Sequence, residues 1–176
     1  MNTKGIIRAL LIALGFVTTT ALTVSASESI FKLIYKAPDL TSESYDDSGL
    51  VRQPSPEKVV VEHLSALNSC DLNRILAQYP SFAEIQEPGG TVVKGRDQLQ
   101  TLFSGFVQPH EQGGFCGITF TPEYVSRVGD TINVQWRVDA PFLAEPYRGS
   151  DAYETHDGLM YAQVTTFNAN DLKFKP

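Results

Sequence analysis

Histidine is scarce in this chain, with three in 176 residues. His63, His110 and His156 share no spacing that would gather them on one metal, so a dedicated metal site is not expected and no cofactor is implied. Glycine-rich phosphate loops and the nucleophile elbow of the α/β hydrolases are also missing, which sets aside nucleotide binding and serine-triad hydrolysis. Positive charge is short. Lys and Arg number 14 against 20 Asp and Glu, for a formal net charge of −6. An acidic chain without basic clusters excludes nucleic acid as a partner and offers nothing to anionic lipid. There is a single tryptophan and there are two cysteines. Neither cysteine stands beside a histidine, so a nucleophilic thiol is not expected.

What is present begins with an export pattern. Lys4 and Arg8 precede an apolar stretch from Ala9 to Val17, and Val24-Ser25-Ala26 supplies a small-x-small cleavage site. The stretch is short for a bilayer span, which needs about 20 residues. Residues 1–26 therefore read as a signal peptide cut after Ala26, placing the mature protein outside the cytoplasm, secreted or periplasmic, and free of the membrane. Losing the two charges of Lys4 and Arg8 takes the net charge to about −8. Such a compartment permits disulfides. Cys70 and Cys116 allow one intramolecular bridge, whose loop of about 45 residues is worth roughly 4 kcal/mol on a chain-entropy basis. Two buried free thiols are the alternative.

Residues 27–54 are rich in Ser, Asp, Glu and Pro and read as a flexible leader, with Ile30, Phe31, Leu33, Ile34 and Tyr35 as an apolar exception. The domain is expected over 55–170, followed by a tail, 171–176. Ser55-Pro56 is a helix start, and Val60, Leu64 and Leu67 follow at helical spacing. Asp71 caps a second helix with a stripe of Leu72, Ile75, Leu76 and Tyr79, stopped by Pro80. Short strands flank a Glu87-Pro88-Gly89-Gly90 turn, and Gly95 opens a third helix carrying Leu99, Leu102, Phe103 and Phe106. A strand then runs from Ile118 to Pro122. Ile132, Val134, Trp136 and Val138 alternate along the next, after a turn at Gly129-Asp130. "APFLAEPYRGS" reads as a connection. Asp151–His156 and Leu159–Asn168 close the chain as a hairpin around Asp157-Gly158.

This order, with "VVKGRDQLQTLF" at the third helix and "GSDAYETHDGLMYAQVTTF" at the closing hairpin, resembles the nuclear-transport-factor-2-like superfamily, which includes SnoaL-like cyclases and ketosteroid isomerases. The resemblance implies an α+β cone, a curved antiparallel sheet wrapped around N-terminal helices. It further implies a pocket between sheet and helices and dimerisation through the sheet. It does not carry a function, because this fold hosts isomerases, dehydratases, hydrolases, cyclases and non-catalytic binders.

The expected ligand is a small apolar molecule. Trp136, Val134, Phe103 and Tyr79 are the expected pocket lining, Tyr79 resembling the phenol that relatives place near the end of the second helix. Three residues are candidates for acid–base catalysis. Asp139 ends the Trp136 strand but alternates to the opposite face unless a bulge re-aims it. Glu154 and His156 lie two apart and share a strand face, where a carboxylate can tune an imidazole. His63 reads as a packed helix residue and His110 as an exposed loop residue. The leading expectation is binding of a small apolar or amphipathic molecule in the cone, and whether acid–base turnover of the isomerase, dehydratase or cyclase type accompanies it is left open by the sequence. The alternative is a non-catalytic interaction module that dimerises through Asn133, Gln135 and Arg137 on the outer face.

Overall fold

A computed structural model describes residues 48–176. The expected export segment and most of the expected leader lie outside the described residues. Helix α1 spans Pro56–Asn68, with Ser55 accepting a hydrogen bond from Lys58 N and proline in its first turn. Helix α2 spans Leu72–Leu76, capped by Asp71, which accepts from Arg74 N. Arg74 reaches back to α1 and donates from Nε and a terminal nitrogen to the two Glu62 oxygens, at 2.8 and 2.9 Å. This fork-on-carboxylate pair ties the two helices together. Strands β1 (Glu84–Gln86) and β2 (Val92–Lys94) form a small hairpin, and α3 follows over Arg96–Phe106.

The long strands are β3 (Thr119–Val128), β4 (Thr131–Asp139), β5 (Tyr147–His156) and β6 (Leu159–Thr166). The six strands run in the order β2-β1-β6-β5-β4-β3. The sheet is curved, unclosed and mixed: β1 pairs with β6 in parallel, and every other neighbour is antiparallel. An all-antiparallel sheet was the expectation from hairpin signals. Those signals report only strands adjacent in sequence, whereas β1 and β6 meet across most of the domain. The β5–β6 turn places Asp157 and Gly158 at φ of 56° and 75°, as a two-residue hairpin turn of this hand requires.

Two further boundaries differ from the sequence reading. Strand β3 continues past Pro122 to Val128. It is an edge strand, where a proline has no ladder bond to lose, and a bulge between Pro122 and Tyr124 absorbs the irregularity. Asn68 at the end of α1 pairs with that edge. Its Oδ1 accepts from Phe120 N at 2.7 Å and its Nδ2 donates to Phe120 O at 3.1 Å. Strand β5 begins at Tyr147 rather than Asp151, because Arg148, Gly149 and Ser150 obscure its alternation without breaking it.

Helix α1 lies on the concave face and contacts β3, β4, β5 and β6. Between them sits the core, with Val59, Val60, Leu64, Leu99, Phe103, Ile132, Val134, Trp136, Val138, Tyr153 and Met160 all buried. Cys70 and Cys116 form the expected disulfide, with Cα atoms 5.6 Å apart, tying the α1–α2 junction to the approach to β3.

Candidate functional site

The concave face is not wholly apolar. Strand β5 alternates Tyr147, Gly149, Asp151, Tyr153 and Thr155 toward the helices. Asp151, Tyr153 and Thr155 are buried, and so are His63 from α1, Tyr79 beyond α2 and Gln163 on β6. Thr155 turns aside to donate to the Asp130 carbonyl at 2.8 Å, and the others meet in one place. Asp151 Oδ2 accepts from the Tyr153 hydroxyl at 2.7 Å and from Trp136 Nε1 at 2.9 Å. The Tyr79 hydroxyl donates to Gln163 Oε1 at 2.9 Å, and Gln163 Nε2 donates to Thr165 Oγ1 at 3.0 Å. The His63 ring stands edge-on to Tyr153, Tyr79 and Phe103, with centroids 5.5, 5.8 and 6.2 Å away.

Three polar atoms in this cluster have no hydrogen-bond partner among the described residues: Nδ1 and Nε2 of His63, and Oδ1 of Asp151. Each such atom costs about 1–3 kcal/mol when buried. Native folds leave few such atoms, so three in one cluster call for an explanation.

Burial also sets the protonation states. It depresses His63 to about 3, so the imidazole is neutral at physiological pH, with one N–H to give and one lone pair to receive. Burial pushes Asp151 up, against donors that pull it down: Tyr153 first, then Thr165, Trp136 and Gln163. Of these, Tyr153 and Trp136 reach hydrogen-bond geometry with the carboxylate, while Gln163 and Thr165 bond each other. Tyr79 and Tyr153 are pushed well above the usual phenol value, by burial first and by the Asp151 charge second. Both are proton donors that stay protonated. No lysine or arginine is buried among the described residues. The arrangement therefore offers a buried carboxyl group that holds its proton more tightly than usual, a neutral imidazole, and aromatic walls.

The four residues expected to line a pocket, Tyr79, Phe103, Val134 and Trp136, are 1%, 5%, 0% and 4% exposed and pack in the core. The three catalytic candidates stand elsewhere. Asp139 lies on the face away from Trp136, where Arg137 Nε donates to it at 2.9 Å. The bulge that might have turned it falls in β3 instead. Glu154 and His156 do share a face, the exposed one. Glu154 accepts from the Thr131 hydroxyl, and the His156 ring packs on Tyr161 with centroids 5.2 Å apart. Strict two-residue pairing would set Glu154 opposite Tyr161. A second bulge, between Glu154 and Thr155, sets it opposite Ala162. His110 stacks on Phe142 at 4.0 Å, outside the cluster.

Sequence reasoning missed Asp151 and Gln163 and read His63 only as a packed helix residue. The signal for Asp151 was present. Counted from Tyr147, it shares a face with Tyr153, and its register partner on β4 is Val134. His63 falls between Val59 and Val60 on one side and Leu67 on the other, at helical spacing within the buried stripe.

The SnoaL-like domain family matches residues 60–163, more than half of the chain. The chain belongs to that family. Solved structures of the nuclear-transport-factor-2-like fold superimpose on it at low identity. One is an NTF2-like protein of unknown function from Cytophaga hutchinsonii, 12% identical, covering 67% of this chain and 94% of its own, with a TM-score of 0.53. Another is SalBIII, an epoxide hydrolase/cyclase-like enzyme of pyran ring formation in the polyether salinomycin, 16% identical, covering 68% and 95%, with a TM-score of 0.55. A third is an LEH-like epoxide hydrolase of Mycobacterium tuberculosis, 16% identical, covering 66% and 85%, with a TM-score of 0.52. At these identities the likeness defines the fold. No curated protein matches the sequence.

Proposed function

We propose that this is an exported SnoaL-like protein that binds a small apolar or amphipathic molecule between sheet and helices and exchanges a proton with it through Asp151. The observation that carries the reading is the set of unpartnered buried atoms on His63 and Asp151, enclosed by aromatic rings. In this reading a ligand carbonyl or hydroxyl takes the His63 N–H, and the Asp151 carboxyl removes or returns a proton nearby. Those two roles suffice for isomerisation, dehydration or cyclisation. The cyclase-like and hydrolase-like activities of the similar folds agree with this chemistry. Ligand entry requires the cluster to open, since His63 and Tyr153 have no exposed surface. Export is supported by the Lys4, Arg8 and Ala26 pattern and by the Cys70–Cys116 bond, which suits an oxidising compartment.

The test uses the single tryptophan, Trp136, as an internal reporter. The full chain is titrated with decalone, an apolar cyclic ketone, while Trp136 emission is followed. Deuterium uptake beside the carbonyl is then measured in heavy water. The reading expects an emission change and uptake that Asp151→Asn abolishes. Unchanged emission together with uptake no faster than buffer would sink it.

A second reading, a homodimer through the outer sheet face, draws support from exposed Tyr124 and Val164 beside the small side chains of Ser150, Ala152 and Ala162. Sedimentation of a purely monomeric species at high concentration would dispose of it.

A further inference from the structure

Gly149 sits on β5 directly opposite Trp136 on β4. Its φ does not lie in the positive range that favours glycine, so the backbone would accept any residue there. Space forbids it. A Cβ on Gly149 would stand 2.4 and 2.5 Å from Cη2 and Cζ2 of the Trp136 indole, and 2.9 Å from the Thr166 carbonyl oxygen. The indole therefore occupies the room that a side chain would need, and its Nε1 then reaches Asp151, two residues further along the same face of β5.

We propose that Gly149 is a positioning residue for Asp151: the missing side chain lets the indole lie across β5, and the indole N–H holds carboxylate oxygen Oδ2. The proposal rests on the reading of Asp151 as the proton-transfer group. Its test needs no ligand, so the two can fail separately.

The groups around Asp151 make its titration legible. Tyr153 on the same strand, Tyr79 beyond α2 and His63 on α1 are the titratable neighbours, and all three are neutral near pH 7. Trp136 on β4 and Gln163 and Thr165 on β6 are uncharged polar groups, and Phe103 on α3 is apolar. A lost indole donor is therefore seen by Asp151 without a competing charge. Because the N–H stabilises the ionised carboxylate, removing it moves the titration upward, by about half to one pH unit.

The experiment follows the side-chain carboxyl carbon of Asp151 by NMR across pH in the full chain and three variants. Gly149→Ala and Trp136→Phe should each raise the midpoint, in the same direction and by similar amounts. The double variant should rise no further than Trp136→Phe alone. It should also melt closer to Trp136→Phe than Gly149→Ala does to wild type, since the smaller ring accommodates the added methyl. A glycine kept for packing alone would lower the melting temperature of Gly149→Ala and leave the midpoint where it was, and that result would overturn the proposal. If Gly149→Ala fails to fold, Trp136→Phe and the double variant decide: an unmoved midpoint in Trp136→Phe, or a double variant that moves beyond it, overturns the proposal equally.

Discussion

The same two strands, β4 and β5, carry acids on both faces and treat them in opposite ways. On the outer face, Glu123 of neighbouring β3 accepts from Arg148 Nε at 2.8 Å, and Arg137 meets Asp139 at 2.9 Å. Arg148 holds the Glu123 carboxyl below its ordinary range. On the inner face, Asp151 meets only neutral donors, and burial drives its carboxyl the other way. Carboxylates matched to cations in water are settled in one state and have little left to offer. A buried carboxyl with two neutral donors on one oxygen and none on the other holds its proton more tightly than a solvated one, the direction that proton-transfer carboxyls share. Counting polar residues on strands cannot separate these cases. The face decides.

The largest effect that could break this contrast lies in acid. His63 is neutral in the fold and titrates near 3, whereas an unfolded chain binds that proton near 6.5. Its folded value is depressed, so the unfolded state takes the proton first as the pH falls. Stability should be complete above about pH 6.5 and be lost progressively toward 3, by about 1.4 kcal/mol per unit for this one group. Urea unfolding at pH 7 and pH 4.5 should therefore show His63→Leu losing roughly 2–3 kcal/mol less than wild type over that interval. Equal losses in both proteins would mean that His63 is not shielded as described.

Legibility in sequence divides along the same line. Helix starts at Ser55 and Asp71, the β4 alternation and the Asp157-Gly158 turn follow local rules, so they could be read without a structure. The burial of Tyr79, Phe103, Val134 and Trp136 followed from that alternation and from helical spacing. The polar cluster could not be assembled the same way. His63 comes from α1, Asp151 from β5 and Gln163 from β6, and only the packing of helix on sheet brings them together. Its key carboxyl was read as the first residue of a strand, and its inward face emerges only when the count starts at Tyr147, across Arg148, Gly149 and Ser150, which resemble a loop. The candidates chosen from sequence, Asp139, Glu154 and His156, were polar residues at strand ends. Strand ends are where polar residues gather for solubility.

A middle-sized effect sharpens the comparison at one methyl group. Gly149→Ala intrudes on the indole and should destabilise by about 1–3 kcal/mol in denaturant unfolding, as overpacking does. The equivalent probe outside, Ser150→Ala, should cost less than about 0.5 kcal/mol. Comparable losses at neighbouring positions would erase the difference between the faces.

The smallest effect is expected where the sequence first pointed. Asp139→Asn, Glu154→Gln and His156→Ala should each leave stability within about 0.5 kcal/mol and Trp136 emission unchanged. A shift in emission from any of them would extend the functional region through the sheet to its outer side.

The pairing of Asn68 with Phe120 has a bearing on how the molecule behaves in a crowd. A sheet that ends in a bare strand invites a second chain to continue it, and repetition of that step builds fibrils. Here a side-chain amide imitates the next strand at one residue, donating and accepting as a backbone would, and two residues on a proline withholds the donor that an incoming chain would seek. A single helix-terminal asparagine thus acts as a stopper on that stretch of the border, discouraging self-propagating assembly at no expense to the interior.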